Sequence, residues 1–83
     1  MNIDLAFVRG EEAIRESLFG RERISALAAL RRIRKGQFSK VDPAAVWDAW
    51  DAIGHCGSEE AMPLYHFLYI LIDVHDWDWV KVK

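Results

Sequence analysis

The run Pro63-Leu-Tyr-His-Phe-Leu-Tyr-Ile-Leu-Ile-Asp-Val74 decides the fold class. It is apolar almost all the way round, broken only by His66 and Asp73. A surface helix carries one apolar stripe, and a half-buried strand alternates. This run does neither, as expected of an element surrounded by other protein. It predicts a central helix from about 63 to 76, starting at Met62 or Pro63 because proline has no N–H to donate deeper in a helix. At Leu64 to Ile72 the apolar run is too short for a membrane span, which needs about 20 residues.

Upstream, Asp42-Pro43 is a helix start: a capping carboxylate followed by proline at the first helical position. The predicted helix runs from Ala44 to about Ile53. Val46, Trp47, Trp50 and Ile53 share one face, and Asp48 and Asp51 lie on the other. The spacing places Trp47 and Trp50 in the core, with Gly54 and Gly57 bracketing the helix end. Before it, Gln37 to Val41 reads as a linker with Phe38 folded back onto the core. Arg21 to Lys35 is a helix rich in Ala and Arg, with Arg32, Arg34 and Lys35 in the last turn, where positive charge is favoured, and Gly36 as the stop. At the N-terminus Ile3, Phe7, Gly10, Ile14 and Leu18 recur at spacings of three and four, with Asn2 as the cap. Gly10 costs about 1 kcal/mol inside a helix relative to Ala, so a break there, with a fresh start at Glu11-Glu12, is the alternative.

Downstream, Asp76-Trp-Asp-Trp-Val-Lys-Val-Lys83 alternates acid and indole. Ile70, Val74 and Trp77 share a helical face, so continuation of the helix is preferred to a terminal strand paired with residues 3–8. The expected fold is all-α: one domain over residues 1–83, with three to four short helices packed around helix 63–76 and a short aromatic tail.

A chain of 83 residues is near the lower limit for an unaided core. It is expected to bury about 60–65% of its unfolded surface and to be stable by about 5 kcal/mol. Dimerisation or a partner would add to that. Four tryptophans are many for so short a chain, and Trp is enriched where proteins bind one another. The lone Cys56 excludes an internal disulfide. The start Met1-Asn2-Ile3-Asp4 lacks the basic and apolar regions of a secretory leader, so a cytoplasmic location is expected.

The net charge of −2 hides a split. From 21 to 40 the basic residues Arg21, Arg23, Arg31, Arg32, Arg34, Lys35 and Lys40 face Glu22 alone. From 42 to 78 the acids Asp42, Asp48, Asp51, Glu59, Glu60, Asp73, Asp76 and Asp78 occur with no Lys or Arg.

Few of these residues suggest reaction chemistry. His55, His66, His75 and Cys56, with nearby acids, are metal-ligand types, but no pair stands at i, i+4 and no Cys-x-x-Cys occurs. His66 reads as a hydrogen-bonded histidine at the core edge and His75 as a solvated one. Cys56 beside His55 suggests a nucleophile and base, yet neighbours on a helix do not face each other. The five glycines are scattered breaks rather than a phosphate loop. No metal, cofactor or enzymatic activity is expected.

Two interaction readings remain. Acids around aromatic anchors suit docking onto a basic surface of another protein, with indoles supplying contact and carboxylates steering. The expected contact residues are Asp73, Asp76, Trp77, Asp78 and Trp79, in a small inhibitor, immunity protein or regulatory adaptor. The alternative is a nucleic-acid-binding regulator using Arg31, Arg32, Arg34 and Lys35 against phosphates. Against it, the connection to the next helix is about seven residues, longer than in a helix-turn-helix, and that helix carries Asp48 and Asp51 but no base. A homodimer pairing the basic helix of one copy with the acidic half of the other fits either function.

Overall fold

The chain is all-α in a computed structural model that describes residues 2–35 and 42–74. The elements are α1 (Ile3–Ser17), α2 (Gly20–Lys35), α3 (Pro43–Cys56), a 3-10 turn (Glu59–Ala61) and α4 (Met62–Val74). The linker 37–41 and the tail 75–83, including the choice between helix and strand there, lie outside the described residues.

Asn2 caps α1 as expected, its Oδ1 accepting from the Leu5 N–H at 3.1 Å. The helix runs unbroken through Gly10, so the alternative break does not occur. The glycine instead marks a close helix approach. A Cβ at residue 10 would overlap Leu64 Cδ2 and lie 3.3 Å from Ile53 Cδ1. Gly20 has φ of +61° and turns the chain into α2. Arg23 then reaches back across the corner. Its Nε donates to the Leu18 carbonyl and its Nη2 to the Arg15 carbonyl, both at 2.8 Å. Carbonyls that a helix end leaves open are thus satisfied by a side chain from the next helix.

Asp42 caps α3 through a 3.0 Å bond from the Ala44 N–H, with Pro43 following. The helix continues past Gly54 to Cys56 and stops at Gly57, which is left-handed with φ of +62°. Gly54 therefore does not end the helix. It leaves room for a ring, since a Cβ there would meet Tyr65 Cε2 at 3.2 Å. The 3-10 turn leads into α4, whose first turn holds Pro63 where no intrahelical N–H is needed.

The core is one contiguous cluster in which Phe7, Ile14, Leu30, Ile33, Val46, Leu64, Leu68 and Ile72 are the largest fully buried side chains. Among the described residues α1 and α3 each pack against all three other helices, whereas α4 packs against α1, α3 and the 3-10 turn. The long apolar run is thus not enclosed by them. Leu64, Leu68, Leu71 and Ile72 face inward. On the other side Met62, Tyr69, Ile70 and Val74 are 40%, 52%, 54% and 70% exposed. Neighbours on two sides cover only part of a helix circumference, and the rest of this one is apolar too. No helix among the described residues is long and apolar enough to cross a membrane.

Candidate protein-docking face

α3 and α4 are joined by stacked rings. Trp50 lies parallel to Tyr65 with centroids 5.0 Å apart and planes 22° apart, and it sits 6.2 Å from Tyr69. Trp47 meets Trp50 edge-on at 5.2 Å. Both tryptophans are half-buried against the edge of the core rather than inside it. On the other flank of α4, Phe67 meets Phe7 edge-on at 6.3 Å. Such ring pairs contribute about 0.5–1.5 kcal/mol beyond area burial, so they hold α4 firmly at both edges.

Between those edges lies the open side of α4. Its exposed residues are Met62, Pro63, His66, Tyr69, Ile70, Asp73 and Val74. They recur at the three- and four-residue spacing of one helical face. Exposed apolar residues scattered singly are ordinary, but four on one face of a short helix form a patch. His66 was expected to be hydrogen-bonded at the core edge. It is exposed here, with its ring edge-on to Tyr65 at 6.0 Å.

The acids divide. Asp48 and Asp51 turn toward α2 and line a cleft of about 660 Å³ with Arg21, Glu22, Ser25 and His55. They thus sit on the α2 side of α3, whereas Trp50 stacks on α4. Asp73, the described member of the expected contact set, is exposed on the open side of α4. Asp76, Trp77, Asp78 and Trp79 lie outside the described residues, as does His75.

His55 and Cys56 turn to separate partners. His55 Nδ1 is 2.8 Å from the Asp51 carbonyl and 3.8 Å from its carboxylate. That carbonyl first, and the negative carboxylate second, raise the His55 pKa above its ordinary value. Cys56 Sγ donates to the Ala52 carbonyl at 3.2 Å. Partial burial pushes the thiol pKa up, opposed by a hydrogen bond with Ser17. A raised thiol pKa is the reverse of what an activated nucleophile requires. Among the described residues no group of three His, Cys, Asp or Glu side chains is placed to hold a metal ion.

The basic residues Arg31, Arg32, Arg34 and Lys35 are exposed at the end of α2. Two of them meet acids of their own chain. Arg32 lies 3.9 Å from Asp42. Arg34 lies 3.8 Å from Asp4 and 3.7 Å from Glu11, and its guanidinium stands over the Phe7 ring at 5.9 Å. Exposed pairs of this kind are worth about 0–1 kcal/mol each, yet they partly neutralise the cluster.

Sequence reasoning missed Tyr69 and Ile70 as surface residues. The inward set Leu64, Leu68, Leu71 and Ile72 has helical spacing, so the opposite side was definable in principle. It stayed hidden because that side is apolar as well. No known family matches the chain, and no curated protein or solved structure matches it.

Proposed function

We propose that the chain is a small non-enzymatic protein-binding module, of the kind that serves as an inhibitor, immunity protein or regulatory adaptor. Its contact surface is the open side of α4. One observation carries the reading: Tyr69, Ile70 and Val74 are each more than half exposed on a helix pinned at both edges by aromatic contacts. A rigid apolar patch of this kind loses little conformational entropy on binding, which favours affinity. Asp73 lies within the patch, and the acids and indoles Asp76, Trp77, Asp78 and Trp79 follow it in sequence, so a partner with a basic rim suits the surface. The ion pairs of Arg32 and Arg34 with Asp42, Asp4 and Glu11 weigh against the nucleic-acid reading.

The test is affinity capture of the tagged chain after nuclease treatment, run beside Ile70→Asp. The reading expects a stoichiometric protein that resists nuclease and is lost with the variant. Capture that disappears with nuclease, or that Ile70→Asp leaves intact, would remove it.

A further inference from the structure

Within the exposed set on α4, His66 and Asp73 are the polar residues apart from Tyr69 with its hydroxyl. They stand seven residues apart, close to two helical turns, so they point the same way about 10 Å apart along the axis. Their midpoint falls between Tyr69 and Ile70, the centre of the apolar patch. A two-fold axis through that midpoint, perpendicular to the helix, lays a second α4 antiparallel on the first. It sets position 66 of each copy level with position 73 of the other, and 69 level with 70. The centre of such a pair is Tyr69 against Ile70. On either side of that centre an imidazole meets a carboxylate. This is an apolar core inside a polar rim.

A parallel pairing would instead set imidazole against imidazole and carboxylate against carboxylate. We therefore infer that the partner of this face is a second copy of the chain, joined through an antiparallel α4 pair in which His66 of each copy faces Asp73 of the other. The inference rests on the reading of the α4 face as a protein contact and puts a second copy in place of a partner with a basic rim. It differs from pairing the basic helix of one copy with the acidic half of the other, since α2 plays no part.

Sedimentation velocity of the full chain over a micromolar range, with His66→Glu, Asp73→Lys and the two combined, tests the pairing. All three changes are at exposed positions, and circular dichroism verifies that each variant stays helical. The wild-type chain is expected to dimerise. Either single change meets an unfavourable partner twice in the symmetric dimer, so about a tenfold weaker association is expected. The combined variant restores it, and a mixture of the two singles gives a heterodimer. A monomeric wild-type chain overturns the inference, as does a dimer indifferent to the single changes or one that the combined variant fails to restore. A monomer that still captures another protein through Ile70 overturns the second-copy partner but leaves the docking function standing. If Ile70→Asp disturbs neither self-association nor capture, both fall.

Discussion

Replacing Gly10 with alanine sets two effects of known sign against each other. In an exposed helix the change stabilises by about 1 kcal/mol, because glycine is the poorer helix former. Here the added methyl overlaps Leu64 Cδ2 and crowds Ile53 Cδ1 at 3.3 Å. Leu64 is 0% exposed and Ile53 3%, so neither can yield into solvent. Forcing a methyl into a packed core costs about 1–3 kcal/mol. The balance is a net loss of about 1 kcal/mol, which lowers Tm by roughly 4–8 °C in a domain of this size. Circular dichroism melts with urea titrations measure it. A double-mutant cycle isolates the cause. Leu64→Ala alone costs about 2–5 kcal/mol and opens a cavity beside residue 10. Adding Gly10→Ala places its methyl in that space, so the pair is less destabilised than the sum by about 1 kcal/mol or more. A Gly10→Ala chain as stable as wild type, or an additive cycle, would refute the close approach of α1 and α4.

Arg23→Ala removes both hydrogen bonds to the last carbonyls of α1 and is expected to cost about 1–3 kcal/mol in urea unfolding. Arg23→Lys recovers little, since an ammonium lacks the fork that reaches two carbonyls; full recovery would mean that charge alone matters. The raised pKa of His55 stabilises the fold fully below the unfolded-state value near 6.5, and that contribution fades as pH rises through the folded value. His55→Ala should therefore flatten the dependence of Tm on pH in that window and leave it unchanged at higher pH. Superimposable profiles for variant and wild type would contradict the assignment.

The helix starts were legible because capping chemistry is local. Asn2, and Asp42 followed by Pro43, each announce a helix that the structure contains, and Gly57 ends one by its left-handed backbone. Gly10 and Gly54 misled for a physical reason. Inside a helix a glycine marks either weakness or a close neighbour, and only the neighbour, Leu64 or Tyr65, distinguishes the two. Arg23 was unreadable as a cap because its two carbonyl partners belong to the preceding helix across a turn. The covered and open sides of α4 were indistinguishable by hydropathy, since Tyr69 and Ile70 are as apolar as Leu68 and Leu71. The acidic–aromatic half was legible as composition. Its division, with Asp48 and Asp51 facing α2 while Trp50 stacks on α4, depends on how the helices are arranged about α3.

The central claim, that α4 presents a binding face rather than an unfinished core, is tested most directly by measuring stability and binding on the same variant. Ile70→Asp alters a side chain that is 54% exposed. Surface changes away from special features stay within about 0.5 kcal/mol. The account predicts that the unfolding free energy per monomer is preserved to that extent while binding to the nuclease-resistant partner, a second copy or another protein, is lost. Loss of several kcal/mol of stability would show Ile70 to be core, and unchanged stability with unchanged binding would show that the face is not where the protein docks.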